Sequence, residues 1–184
     1  RDARFSTPAE DRAAEQRLSF VSLPGRVGLV ANGAGLAMAT MDALAAAGLP
    51  AANFLDFGGT ADAARLRVAF ELLFADPAVE ACCVNMYGGI LSCADVAEAM
   101  ACALGGEDGR PVVVRFAGNA AKAGMERLRA MPGNRVRVAE DMDQAVVMLA
   151  EAVAPGERRP ADVLAGVCPA SAPREAAPRR RGHG

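Results

Sequence analysis

The sequence predicts an α/β fold in which a doubly wound parallel sheet of five strands is flanked by helices. Between residues 26 and 153, short apolar stretches alternate with longer amphipathic ones, the pattern of repeated βα units. Several apolar stretches, such as Val112–Val114, are apolar at every position rather than at every second one. That composition is typical of strands whose two faces are both covered by helices.

Each predicted element follows from this alternation. The strands are predicted at Arg26–Ala31, Asn53–Asp56, Ala81–Asn85, Pro111–Phe116 and Arg135–Val138. The helices between and after them are predicted at Leu36–Ala47, Ala61–Ala75, Ala94–Leu104, Ala120–Met131 and Met142–Val153. Asp76-Pro77 and Gly105-Gly106 follow two of these helices and are typical of helix ends.

The two ends of the chain differ from its centre. Residues 1–24 are polar and are predicted to be a linker segment with a possible short helix over Ala9–Arg17, and residues 25–154 form the folded domain. Residues 155–184 are rich in Pro, Ala and Arg, and we expect this tail to be disordered because it cannot bury enough apolar surface. A chain that begins with Arg1 rather than Met suggests a piece of a longer protein.

Composition argues against several classes of function. A net charge of −2 favours neither a nucleic-acid nor a membrane partner, and no apolar run reaches the ~20 residues of a membrane span. We therefore expect a cytoplasmic protein. The five cysteines form no CxxC pair and the only histidine is His183, so neither a metal site nor a disulfide framework is expected.

Glycine-rich loops follow four of the predicted strands, and they are the candidate binding elements. In a parallel sheet such loops meet at one edge, where backbone N–H groups and helix N-termini attract phosphates or carboxylates. Tight βα turns without a ligand are the alternative for any single loop. The four loops are Asn32–Gly35, Gly58–Thr60, Tyr87–Leu91 and Gly118-Asn119. The first meets G-x-G but has Met38 where a dinucleotide fingerprint has its third glycine, so a nicotinamide enzyme is a weak alternative.

Longer stretches carry a family resemblance. Residues Val30–Asp42 (VANGAGLAMATMD) and Pro50–Gly59 (PAANFLDFGG) resemble the signature of succinyl-CoA synthetase β subunits, and Val84–Ile90 (VNMYGGI) continues it. The match spans about residues 18 to 153. It implies that the chain is the carboxy-terminal CoA-ligase domain of such a subunit, with a flavodoxin-like fold.

The resemblance also implies partners and roles. Such a subunit also has an upstream ATP-grasp domain, and its α partner binds CoA and carries a phosphorylated histidine. The full enzyme is expected to use CoA, ATP or GTP and Mg²⁺, with no cofactor bound by this domain alone, which would be inactive in isolation. Asn32, Gly89, Ile90 and Leu91 match the positions that contact succinate, at the start of a helix that faces the phosphohistidine. No catalytic residue and no metal ligand is expected in this chain.

Some residues depart from the family pattern. Ser92 and Ala94 replace an arginine and an aspartate, Ala117 replaces a glutamate, and Thr60 replaces a third glycine. Ser92 could instead cap the following helix. Arg115 could bind a ligand or pair with Asp56, and Tyr87 is expected to pack against the α partner or a neighbouring helix.

These departures leave other functions open. The chain could be a catalytically degenerate docking module of a CoA-ligase complex, or part of a ligase for another dicarboxylate such as malate. A third hypothesis is a stand-alone flavodoxin-like domain that binds a nucleotide or flavin.

Overall fold

The elements alternate along the chain as the sequence predicts. The structure, a computed structural model, describes residues 7–59, 62–105 and 108–153. The elements in chain order are α1 (Pro8–Glu15), β1 (Ser19–Ser22), β2 (Val27–Ala31), α2 (Ala34–Ala46), β3 (Asn53–Asp56), α3 (Ala63–Ala75), β4 (Ala81–Gly88), α4 (Cys93–Ala103), β5 (Val112–Gly118), α5 (Ala121–Arg129), β6 (Val136–Ala139) and α6 (Met142–Ala152).

Six strands of the described chain form one sheet in the order β1-β3-β2-β4-β5-β6. The last five of these pair in parallel, which confirms the predicted doubly wound α/β fold. The predicted count of five strands was one too low, because β1 adds an antiparallel strand beside β3. This strand, of four residues, buries only Phe20, so its sequence lacks the apolar run that marks the buried strands.

Two apolar clusters cover the two faces of the sheet. Alternate residues of β4 belong to different clusters: Cys82 and Val84 pack with α3, α4 and α5, whereas Ala81 and Cys83 pack with α2 and α6. Because side chains alternate across a strand, a strand buried on both faces must be apolar at successive positions. The uninterrupted apolar runs of the sequence are therefore explained.

The strands extend further toward their carboxyl ends than the sequence indicates. The strand β4 continues three residues past Asn85 to Gly88, and β5 continues two residues past Phe116 to Gly118. Glycines at these positions look like loop residues in the sequence, but Gly88 and Gly118 are paired partners in the sheet. The candidate binding loops consequently begin beyond a longer, more rigid pair of central strands.

The amino-terminal edge of the sheet is closed by arginines. Arg110 donates hydrogen bonds to the carbonyls of Asp76 and Val79, both at 3.0 Å, and Arg135 donates to the carbonyl of Leu104 at 2.8 Å. Both guanidinium groups also lie over the ring of Phe74. These contacts cap the ends of α3 and α4 and leave the opposite, carboxyl edge as the place for a ligand.

The described part of the segment 1–24 contains a helix and a strand. The helix α1 falls where the sequence analysis expects a short helix, and a capping box between Thr7 and Glu10 begins it. The predicted tail, residues 155–184, lies outside the described residues. Among the helices that the structure describes, none is both long and apolar enough to cross a membrane.

Candidate functional site

The candidate site lies where the strand order reverses, at the carboxyl ends of β2 and β4. From β2 the chain moves to β3 on one side, whereas β4 lies on the other side of β2. The helices that follow these two strands pack on opposite faces, α2 with one apolar cluster and α4 with the other. A crevice opens between the two loops at such a point, and it is the usual ligand position in open α/β sheets.

Asn32 joins the two strands at this point. Its side-chain Nδ2 donates to the carbonyl of Tyr87 at 2.8 Å, and its Oδ1 accepts from the Tyr87 N–H at 2.8 Å. The side chain thus acts as an additional peptide group between the ends of β2 and β4. Because Tyr87 is two residues before Gly89, this pairing places Asn32 beside the start of the Gly89–Leu91 segment. It uses one of the two hydrogens of the Asn32 amide.

The Asp56 carboxylate accepts hydrogen bonds from the glycine loops after β2 and β3. Its Oδ1 accepts hydrogen bonds from the Gly33 N–H at 2.6 Å and from the Gly58 N–H at 2.8 Å. An internal carboxylate therefore uses the donors that were expected to face an external anion. One N–H group in each of these two candidate loops therefore already has an internal acceptor, a role of Asp56 that the sequence did not predict.

The loop after β5 serves as a brace for α4. The Asn119 N–H donates to the carbonyl of Gly88 at 2.7 Å, and the Cys93 N–H donates to the carbonyl of Asn119 at 3.1 Å. A Cβ placed on Gly118, whose φ is +82°, would lie 2.2 Å from the Gly88 oxygen. Glycine is required at this crossing, and the loop positions the start of α4.

The segment Gly89–Leu91 keeps its backbone donors available. In the described part of the chain, no acceptor is recorded for the N–H groups of Gly89, Ile90 or Leu91. The Ile90 side chain is 100% exposed whereas Leu91 is buried, so the segment is anchored at one residue and open at its neighbour. Bare N–H groups that lead into a helix form a centre of positive potential that suits a carboxylate or phosphoryl group.

Ser92 starts α4 in the manner that the sequence indicates. Its Oγ accepts a hydrogen bond from the Asp95 N–H at 3.3 Å, and Ser92 is the N-cap residue. The cap satisfies one donor of the first turn and leaves the preceding three residues open. The helix α4 therefore begins with a regular side-chain cap.

Arg115 does not pair with Asp56. Its Nη1 donates to Asn85 Oδ1 at 3.3 Å, and its buried Nε has no hydrogen-bond partner. Asn85 in turn donates to the Thr40 hydroxyl at 2.8 Å. The hypothesis of an ion pair with Asp56 is wrong, because the Asp56 carboxylate faces the glycine loops instead.

Among the described residues at this edge, no activated nucleophile and no metal cluster is evident. Cys93 is fully buried and its thiol donates to the carbonyl of Ala117 at 3.5 Å. Burial raises the pKa of the Cys93 thiol, which keeps it protonated and unreactive. Over residues 7–59, 62–105 and 108–153, no group of His, Cys, Asp and Glu residues could hold a metal ion. The arrangement can bind and orient an anion.

Comparisons with known proteins identify the family and the fold of the chain. The profile of the CoA-ligase family matches residues 30–153. The succinate–CoA ligase [ADP-forming] β subunit of Flavobacterium johnsoniae is 46% identical over 129 residues, covering 68% of this chain and 32% of that protein. The subunit of the same name from Myxococcus xanthus is 40% identical over 154 residues, covering 83% of this chain and 40% of that protein.

A solved structure supports the fold. ATP citrate lyase from Methanothrix soehngenii, in complex with citrate and coenzyme A, superposes with a TM-score of 0.67 at 18% identity, covering 80% of this chain and 43% of that one. The chain spans between about a third and two fifths of the length of these curated relatives. The matched profile covers most of the described residues and the whole of the candidate site, and the chain belongs to the CoA-ligase family.

Proposed function

We propose that this chain is the CoA-ligase part of a succinate–CoA ligase β subunit, and that it holds the carboxylate or phosphoryl group of the reacting acyl compound at the start of α4. The observation that carries the proposal is the set of unpaired N–H groups at Gly89–Leu91. The curated relatives named succinate–CoA ligase β subunits supply the substrate class.

The residues of this chain contribute positioning and electrostatics. When a CoA thiolate attacks an acyl phosphate, a C–S bond forms, the C–O bond to phosphate breaks and phosphate leaves with the electron pair. Negative charge increases on oxygens during this step. N–H groups fixed in advance by the brace of Gly88 and Asn119 stabilise such charge without reorganisation. Asn32 holds the adjacent strand end in place through Tyr87.

Other components of the reaction belong outside this chain. The proposal includes an α subunit and an upstream ATP-grasp domain, which would supply the phosphohistidine and the nucleotide. The exposed side chains of Ile90 and Tyr87, at 100% and 57% exposure, lie beside the proposed anion site and offer apolar surface to that partner. We expect the isolated chain to be inactive.

Proline substitution at Ile90 tests the proposal. This chain replaces the CoA-ligase part of the Flavobacterium johnsoniae β subunit, and the chimera is combined with the α subunit of that organism. Ile90→Pro removes one N–H donor from the site, and we expect kcat for CoA-thioester formation to fall about a hundredfold, as for loss of one oxyanion donor.

Ile90→Ala is the matched control, because it removes the same exposed side chain and keeps the N–H group. Both variants lose the side chain that is offered to the α subunit, so turnover is compared at saturating α subunit, where that of Ile90→Ala should stay close to that of the unmodified chimera. Equal turnover of the Pro and Ala variants would refute a role for the Ile90 N–H group in the reaction.

A catalytically degenerate docking module is the second candidate, and the replacement of the family's arginine by Ser92 favours it. Ser92→Arg in the same chimera separates the two functions. A degenerate module gains no turnover from the restored cation, whereas an active site that lacks one cation does gain turnover.

A further inference from the structure

Among the described residues, none provides Arg115 with an anionic partner. It lies in β5, level with Asn85 on β4 and Ala139 on β6, and is partly buried. Within the part of the chain that the structure describes, no carboxylate lies within salt-bridge distance of it, and its buried Nε donates to nothing. A guanidinium withdrawn from water without a counter-ion is costly, so this arrangement requires an explanation.

Other partly buried arginines of the same sheet are fully partnered. Arg110 and Arg135 donate to backbone carbonyls and both lie within 4 Å of an Asp108 oxygen, at 2.6 and 3.8 Å. Those two arginines stabilise the amino-terminal edge of the sheet. Arg115 lies toward the other edge, where the candidate site is, and has only a long contact of 3.3 Å to Asn85.

A series of hydrogen bonds holds the Arg115 guanidinium group in a defined place. Thr40 Oγ1 donates to the Leu36 carbonyl at 2.7 Å and accepts from Asn85 Nδ2 at 2.8 Å. This chain of contacts fixes the Asn85 amide so that its oxygen faces Arg115. The guanidinium is thereby oriented in advance, with most of its N–H donors still available.

On the strand face of Arg115, a single small residue of β5 lies between Arg115 and the rim of the sheet. Residues two apart on a strand share a face, so the next residue toward the rim on this face is Ala117, opposite Tyr87. Gly118 lies three residues from Arg115, about 10 Å at ~3.3 Å per residue. An arginine side chain and a short diacid together can span that distance.

We propose that Arg115 binds the second carboxylate of a dicarboxylate whose first carboxylate lies at the N–H groups of Gly89–Leu91. The inference rests on the proposed function for the class of substrate. A planar guanidinium matches a carboxylate through paired hydrogen bonds. Ala117, the next residue on the same strand face, supplies no counter-ion to Arg115.

Nuclear magnetic resonance of the ¹⁵N-labelled chain tests the proposal. Succinate is added at constant ionic strength, and the Arg115 Nε–H signal, identified by its absence in Arg115→Lys, is followed with the amide signals of residues 89–91. We expect both sets of signals to shift and to saturate together, and chloride alone to shift neither.

Ala117→Glu and Ala117→Gln form a matched pair. A glutamate two residues from Arg115 on the same strand face supplies an internal counter-ion, so the affinity for succinate at Arg115 should fall about tenfold or more, whereas Gln should leave it close to the unmodified value. If the amide signals of residues 89–91 shift while the Arg115 signal stays unchanged, the role of Arg115 is overturned and the proposed anion site is not. Stationary amides overturn the proposed anion site, and an equal response of both variants at position 117 overturns the counter-ion argument.

Discussion

At the scale of single residues, buried asparagines act as additional peptide groups between strands. Asn53 is 1% exposed; its Oδ1 accepts from the Leu29 N–H at 2.9 Å and its Nδ2 donates to the Leu29 carbonyl at 2.8 Å. The strands β2 and β3 pair at Val27 with Ala51 and at Ala31 with Asp56, and the β3 side has one more residue between these pairs. Asn53 fills the resulting gap in the ladder.

Asn53→Leu should lower the free energy of unfolding by about 3 kcal/mol, because it leaves both backbone groups of Leu29 buried without a partner. Urea denaturation followed by circular dichroism measures the loss. Asn134→Leu, the same substitution at an exposed position, should change stability by less than about 0.5 kcal/mol. Similar effects of the two substitutions would contradict the bridging role of Asn53.

At the scale of elements, glycines set how closely α4 and α5 approach. A Cβ on Gly124 in α5 would lie 2.6 Å from the Cys93 carbonyl oxygen and 3.0 Å from Phe116 Cδ2. The first turn of α5 therefore rests directly on the first turn of α4. This contact and the Asn119 hydrogen bonds together determine where the N–H groups of Gly89–Leu91 lie.

Gly124→Ala should lower stability by about 1–3 kcal/mol, because α5 must move away from α4 to admit the methyl group. The amide signals of residues 89–91 should shift in the same variant. Gly35→Ala in α2 is the control, since nothing lies within 4 Å of its added Cβ. Alanine there should raise stability by ~0.5–1 kcal/mol. A stabilising Gly124→Ala would show that the close contact is absent.

At the scale of the whole molecule, the central strand β4 is enclosed on both faces. Cys82 and Cys83 are fully buried in different apolar clusters. Burial raises the pKa of Cys83 to about 12 and raises that of Cys82 well above its ordinary value. Because thiolates are the reactive form, these residues can be modified only after the sheet opens. Cys102, by contrast, is exposed.

Iodoacetamide at neutral pH should therefore modify Cys102 rapidly and Cys82 and Cys83 only at the rate of global unfolding. The measurement uses peptide mass spectrometry of a Cys168→Ser chain, which removes a cysteine that lies outside the described residues. Urea should accelerate labelling of Cys82 and Cys83 in step with the loss of ellipticity. Early labelling of either residue while the ellipticity is unchanged would contradict the conclusion that β4 is enclosed on both faces.

The strongest sequence predictions concern features with a local cause. Runs such as Val112–Val114 identify buried parallel strands, and the Asn53–Asp56 strand has the bounds that were predicted for it. Errors occur where distant residues decide the outcome. The strand β1 exists because Ser19–Ser22 pairs with β3, and the roles of Asp56 and Arg115 depend on which loops or side chains the fold brings beside them.

The sequence by itself determined the alternation of elements, the family and the choice of Asn32 and Gly89–Leu91 as candidates, because periodicity and motif are properties of neighbouring residues. Only the tertiary structure decided which glycine loops keep free donors. That distinction depends on the Asp56 carboxylate, which accepts from the Gly33 and Gly58 N–H groups, and on the Asn119 carbonyl, which accepts from the Cys93 N–H group. Hydrogen-bond partners distant in sequence are fixed by the packing of the whole sheet, and no local pattern encodes them.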